Sequence, residues 1–384
     1  MIPLSIPQLE GNEWKYVKDC IDTGWISSAG SYVNQFEQMV ADYAGAKYGV
    51  ACMNGTVGLH IAQILSGVTQ DDHVLVPNIT FIATLNAVKY TGATPILVDV
   101  NADNWQMDLD LLDSYLNENT IGKEIEGIPF SFLKSTGKRV KAIMPVHVLG
   151  NMGDMARLVE ICEKYHLDII EDSTEALGST FNGKHAGTFG KFGVFSFNGN
   201  KIISTGGGGV IVTNDKDLAD KAKHLTTQAK VSAMDYIHDE IGYNYRLVNV
   251  LAAIGVAQME TFPKLLENKR QMDAFYRQEL EGVGDIVFQS IDEEVNPNCW
   301  LFTFKTSKMR DLLAYLNENG VQSRPFWMPM NQLEMFKEEI YVSTENVSSK
   351  IYDTSISIPS SAGITLEQQK TVVETIKEFY KTQE

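Results

Sequence analysis

The stretch FSFNGNKIISTGGGGVIV, residues 195–212, places Lys201 between an apolar run and four consecutive glycines. Upstream, NGT at 54–56 precedes a helical pattern, EDSTEALGS at 171–179 carries Glu171 and Asp172, and His147 follows another apolar run. A lysine amine, carboxylates, an imidazole and a turn whose free N–H groups open a helix are the residue types that bind an anion and move protons in one site. Each also has an ordinary reading. NGT is a common turn and cap, Phe81 a core ring, His147 a hydrogen-bonded buried imidazole, Asp172 a helix cap, Ser196 a structural strand residue, and Lys201 one of 32 basic residues. The glycine run lacks the GK[ST] ending of a P-loop and the placement that GxGxxG requires, so it reads as a loop.

The elements that must position these residues are short β-branched runs alternating with amphipathic helical stretches, the pattern of a mainly parallel sheet covered by helices. Strands are expected at Tyr48 to Met53, His73 to Pro77, Thr94 to Val100, Val140 to Val146, Asp168 to Asp172, Gly193 to Phe197 and Gly208 to Thr213. Between them, Val33, Phe36, Val40 and Tyr43 recur at helical spacing, as do Met155, Leu158, Val159 and Cys162 after Asp154, an expected N-cap. In open α/β sheets ligands sit outside the carboxyl ends of the strands. Those ends deliver Asn54 to Thr56, Asn78 to Phe81, His147, Asp172 and, beyond Ser196, Asn198 and Lys201. One pocket could hold them all.

At 384 residues the chain is too long for one compact core, and a large domain with a smaller companion is expected. The boundary is placed near 260: residues 1–260, with an N-terminal extension at 1–12, form the larger part, and 261–384 a smaller α/β part. That second part reads as a long polar helix, Leu265 to Leu280, a βαβ-like stretch from Cys299 to Trp327, and a final helix from Leu366 to Lys381. No apolar run approaches the roughly 20 residues that cross a bilayer. The start of the chain lacks the charged and apolar regions of a secretory leader, so a cytoplasmic location is expected. Cys20, Cys52, Cys162 and Cys299 are widely separated, with no metal-ligand spacing, and read as reduced thiols. The net charge of −17 argues against a nucleic-acid partner, though not against a small anion held locally.

The motifs taken together resemble the DegT/DnrJ/StrS sugar aminotransferases, pyridoxal-phosphate enzymes of fold type I. The likeness spans nearly the whole chain: GWISSAGSYVNQFE, NGT, PNITFIATLNAV, EDSTEALGS, FSFNGNK, GGGG with VIVTND, and GYNYRLVNVLAAIGVAQ, in order and at matching spacing. HVLGN at 147–151 and FSFNGNKIISTGGGG look like the branch that acts on UDP-linked 4-keto-6-deoxy-N-acetylhexosamines.

The resemblance implies a site. Lys201 would hold the cofactor aldehyde through its amine, then carry a proton between substrate and cofactor. Asp172 would keep the cofactor's ring nitrogen protonated; a carboxylate about 3 Å from such a cation gains roughly 5 kcal/mol at an effective dielectric near 20, before desolvation is subtracted. Phe81 would lie on the ring face, worth about 1 kcal/mol. Backbone N–H groups of Thr56 and Val57, with the Ser196 hydroxyl, would take the phosphate. His147, Trp25, Arg246 and Arg324 would contact substrate. Asn244 resembles a residue supplied by a partner subunit, which implies a homodimer with shared active sites. Many members carry glutamine at the position of Glu175 and glutamate at that of Gly207; a second carboxylate beside the cofactor's phenolic oxygen should hold a proton.

The implied reaction moves an amino group from L-glutamate to C4 of a 4-keto sugar nucleotide, UDP-linked by the narrower resemblance, with GDP- or dTDP-linked sugars as alternatives. Two rivals come from other classes. Dehydrating relatives lack the lysine, so Lys201 argues against that chemistry, and a non-catalytic binding protein of the same fold would not respond to glutamate.

Overall fold

The computed structural model describes residues 1–232 and 234–382. Its main sheet runs in the order Tyr48–Cys52, Gly209–Thr213, Phe192–Ser196, Asp168–Asp172, Arg139–Ile143, Asp72–Pro77, Thr94–Val98 and Ile340–Val342. Neighbours are parallel throughout except Gly209–Thr213, which is antiparallel to both of its own. The exception has a simple cause. Only 12 residues, 197–208, join Ser196 to Gly209, too short for a crossover helix, so the chain turns straight back. Lys201 sits in that return, where Phe197 donates its N–H to the Gly208 carbonyl and Thr205 donates to Phe197. Central strands such as Asp72–Pro77 are buried at every position, as helices on both faces demand.

The glycines are explained by close approach. A Cβ on Gly209 would lie 2.6 Å from the carbonyl of Asn54, so the NGT turn can lie against the strand start only if no side chain stands there. Gly206 takes a φ of +83° in the turn itself. Gly208 and Gly209 are therefore packed, while Gly206 and Gly207 form the open turn before them.

The seven expected strands all form, within a few residues of their predicted ends, and Asp154 caps its helix through the Arg157 N–H. Several elements were not foreseen, three of them strands of the main sheet. A hairpin, Thr120–Ile125 with Ile128–Leu133, pairs antiparallel to Arg139–Ile143. Ile340–Val342, from the expected second part, adds a parallel edge strand beside Thr94–Val98.

The division expected at 260 falls inside a continuous helix, Asn249–Leu280, which carries Pro263 within it. Its far half packs Met272, Tyr276 and Leu280 against a separate core that includes Phe304, Leu312, Ile356 and Ile376. A small antiparallel sheet, Val287–Phe288, Thr303–Lys305, Ser355–Ser357 and Arg324–Pro325, completes that part, with the Met309–Glu318 and Leu366–Lys381 helices as expected. The last two residues of the expected second part lie outside the described residues. The extension at 1–12 crosses between the two parts: Ile2 bridges Val321, the Ser360 N–H donates to Leu4, and Gln258 donates to the Gln8 carbonyl.

Candidate active site

A cavity of about 570 Å³ opens at the carboxyl ends of the sheet strands, with Trp300, Arg324 and Trp327 closing its other side. Thr56, Phe81, Asp172, Glu175, Ser196 and Lys201 all line it. The fold thus delivers these six residues, spread over 145 positions of the chain, to one place.

Asp172 ends its strand with 3% exposure. Its Oδ2 accepts from the Thr84 hydroxyl at 2.7 Å and its Oδ1 from the Thr174 N–H at 3.2 Å. Thr84 in turn meets Thr80 at 2.7 Å. These bonds fix the carboxylate while leaving lone pairs for a further donor.

Lys201 Nζ lies 4.0 Å from Glu175 Oε1 and 3.9 Å from the centroid of the Trp300 ring. Burial pushes the lysine amine down from its ordinary range, against the opposing pull of Glu175 and Asp172. Burial likewise pushes the Glu175 carboxyl up, against the pull of Lys201 and of the Leu149 N–H, which donates to Oε2 at 2.8 Å. Both shifts favour the uncharged forms. An uncharged amine is a nucleophile and a base; an ammonium is neither.

Asn54 opens the Gly55–Leu65 helix, its Oδ1 accepting from the Val57 N–H at 3.0 Å. Val57 is therefore already engaged by the cap, which corrects its expected place among the anion donors. Gly55 and Thr56 keep first-turn N–H groups that no helical carbonyl can reach. A Cβ on Gly55 would meet Thr174 Cγ2 at 2.8 Å and Ser196 Cβ at 3.2 Å, so the turn, Thr174 and Ser196 form a tight cradle. Phe81 stands at the mouth, 56% exposed, its ring 6.3 Å from that of Trp327. Arg324 is exposed there too, one guanidinium nitrogen donating to the Ser323 carbonyl.

Three expected substrate contacts lie elsewhere. His147 is 1% exposed, its Nε2 3.0 Å from Glu171 Oε2, and Glu171 also accepts from the N–H groups of Gly187, Phe189 and Gly190. The pair is a buried brace. Arg246 is buried against Glu37 and the Ala51 carbonyl, so its charge is spent inside the fold. Trp25 is exposed away from the cavity lining, its carbonyl accepting from Asn249. Asn331, in the C-terminal stretch, pairs reciprocally with Asn78. Asn244 is exposed on the segment before the long helix and does not line its own chain's cavity.

Trp300, Thr84 and Leu4 also line the cavity and were not anticipated. Thr84 carried a faint signal, lying one helical turn after Thr80. Trp300 and Leu4 carried none, because each reaches the site from a distant part of the chain.

The arrangement can seat an anion at a helix start, hold a carbonyl group at an amine and place a carboxylate beside it. The DegT/DnrJ/EryC1/StrS aminotransferase family model matches residues 7–377 of this chain. A GDP-perosamine synthase of Escherichia coli O157:H7 is 36% identical over 382 residues, covering 99% of this chain and 98% of that protein. Another, of Vibrio cholerae, is 35% identical over 385 residues, covering 99% of each. A crystal structure of a DegT DnrJ EryC1 StrS aminotransferase from Brucella abortus superposes with a TM-score of 0.88 at 24% identity, over 96% of this chain and 95% of that one.

Proposed function

The chain belongs to the DegT/DnrJ/EryC1/StrS aminotransferase family, and on that premise we propose that it transfers an amino group from L-glutamate to C4 of a nucleotide-linked 4-keto-6-deoxy sugar. It is a pyridoxal-phosphate-dependent sugar aminotransferase. One observation carries the reading of its site: Lys201, Asp172 and the start of the Gly55–Leu65 helix line a single cavity.

The residues present fit the cofactor. The cradle of Gly55, Thr174 and Ser196, with the N–H of Thr56, suits a phosphate. Asp172, held by Thr84 and Thr174, suits a protonated ring nitrogen, and among the described residues no carboxylate lies within hydrogen-bond distance of Lys201 to compete for its amine. Bound pyridoxal phosphate supplies an electron sink for the pair left when a C–H bond next to the amine breaks. Lys201 Nζ, pushed by burial toward its uncharged form, would take that proton and return it to the cofactor carbon on the far side of the shared nitrogen. Asp172 keeps its charge paired throughout, and Phe81 covers the face of the site.

For the acceptor, the GDP-perosamine synthases among the relatives favour a GDP-linked keto sugar. A UDP-linked 4-keto-6-deoxy-N-acetylhexosamine is the second reading, supported by HVLGN and FSFNGNKIISTGGGG. The test has two stages. Glutamate alone should yield 2-oxoglutarate in an amount equal to the enzyme. The converted enzyme is then given GDP-, UDP- and dTDP-linked 4-keto sugars in turn, and the amino sugar is sought by mass spectrometry. Failure of the first stage would sink the transaminase reading of the site; amination of none of the three sugars would sink the acceptor.

A further inference from the structure

Lys269 lies within the Asn249–Leu280 helix at 1% exposure, and no carboxylate among the described residues pairs with it. Its amine donates to two main-chain carbonyls from separate segments, Trp300 at 2.6 Å and Ser360. A buried ammonium without an anion is costly, and an apolar side chain of the same length would fill the space at no such cost. What a lysine adds is donors that fix where those carbonyls lie.

The Trp300 carbonyl matters because its side chain reaches the reacting amine. The indole N–H donates to Asn200, the residue before Lys201, at 2.8 Å, and the ring face covers Lys201 Nζ. Trp300 is thus held at its main chain by Lys269 and, through the Asn298 side chain, by the carbonyls of Glu175 and Leu177. The Ser360 carbonyl lies on the segment that binds the N-terminal strap at Leu4, which also lines the cavity.

We propose that Lys269 is a positioning residue for Lys201, acting through Trp300. It holds the indole over one side of the amine and so keeps water from that side. A ring over an amine also attracts the charged form, by roughly one pKa unit. Loss of water acts oppositely, and although the Lys201 side chain keeps 13% exposure, burial is the largest influence on it and pushes it down. Burial pushes Lys269 itself down to about 7, with Cys299 and Asp273 pulling it up; the ionisable groups facing Lys201 are Glu175 and Asp172. Two N–H donors remain to Lys269 in either state, so both carbonyls stay bound.

The inference rests on Lys201 being the amine that meets the cofactor, and the test separates the two. The full-length chain, stripped of cofactor by dialysis, is given pyridoxal phosphate across a range of pH. Its capture rate is followed by visible absorbance, and the captured lysine is identified by borohydride trapping and peptide mass. Capture needs the uncharged amine, so the acid limb reports how easily Lys201 is protonated. Lys269→Met and Trp300→Ala should each move that limb up by about one unit or more as water enters. The double variant should move it no further than Trp300→Ala alone. Lys269→Gln, which keeps two donors, should lie between Lys269→Met and the natural protein. A lysine serving only the fold would lower thermal stability and leave the limb in place. An unmoved limb in Trp300→Ala, or in a folded Lys269→Met, overturns the proposal. So does additivity in the double variant, or failure of both Lys269 variants to fold. Trapping on a lysine other than 201 would instead sink the reading of Lys201.

Discussion

Lys201 Nζ and Glu175 Oε1 stand 4.0 Å apart, too far for a hydrogen bond and close enough for each to set the other's charge. Two buried groups that would form an ion pair in water are held here toward their neutral forms, because burial penalises both charges. The site thus favours a free amine, because Glu175 tends to its neutral form and then has no charge with which to hold Lys201 as the ammonium.

Glu175→Gln should therefore be mild. An amide reproduces the shape and neutrality of a protonated carboxyl, so turnover near neutral pH should stay within about tenfold. The pH profiles should part only on the alkaline side. Glu175 ionises as pH rises through about 8, and the natural enzyme then carries a negative charge beside Lys201 and Asp172 that the amide variant lacks; Lys201 keeps its free amine in both, since rising pH cannot add a proton to it. A loss beyond about a hundredfold at neutral pH, roughly 2.7 kcal/mol in the barrier, would show that Glu175 works as a carboxylate.

Asp172→Asn should keep the cofactor bound and lose most of its turnover, since an amide cannot hold a ring proton electrostatically. Thr84→Val tests the support beneath it. Removing a hydrogen bond of 2.7 Å to a carboxylate should cost about 1.5–3 kcal/mol, seen as a fall in kcat of roughly 10- to 100-fold with KM for glutamate little changed. Unaltered kcat in Thr84→Val would mean that Asp172 needs no such anchor.

Arg246→Ala should weaken the fold and not substrate binding. The guanidinium pairs with Glu37 at 6% side-chain exposure, and removing one member of a buried pair leaves the other uncompensated, at about 3–5 kcal/mol. The low end is expected, since Glu37 also accepts from the Ala51 N–H and from Lys223. Denaturant unfolding measures the loss; a large rise in KM at unchanged stability would restore Arg246 to the substrate site.

Arg246 and His147 also mark where the sequence stops being informative. The strands were legible because parallel strands buried on both faces read as unbroken apolar runs, and Asp168–Asp172 falls where that run ends at two acids. The cavity residues at strand ends followed from that topology. Whether a polar side chain faces the cavity or a buried partner depends on contacts across the fold: His147 meets Glu171, 24 positions away, and Arg246 meets Glu37, 209 away. No local pattern encodes either. The first hairpin strand, TIGKEI, and the three-residue edge strand at Ile340–Val342 lack the apolar length that marks a strand, the second hairpin strand, IPFSFL, is interrupted by Pro129, and Trp300 is placed by the second part of the chain.

Asn244 should complete the site of a second copy of this chain. The segment that carries it exposes Val231 at 59%, Met234 at 88%, Tyr236 at 83%, Ile237 at 56% and Ile241 at 85%, an apolar surface of the kind that a partner covers. A two-fold interface would use that surface twice and send each Asn244 into the opposite cavity. Lys201→Ala and Asn244→Ala proteins should each be inactive alone. Mixed in equal amounts and allowed to exchange, half the dimers are mixed, and each has one cavity with intact Lys201 from one chain and intact Asn244 from the other. Recovered activity should approach about one quarter of the natural enzyme's. A complementing mixture can arise only if a site draws on two chains. No recovery despite exchange confirmed by native mass spectrometry, or a fully active monomer by light scattering, would place every working residue in one chain.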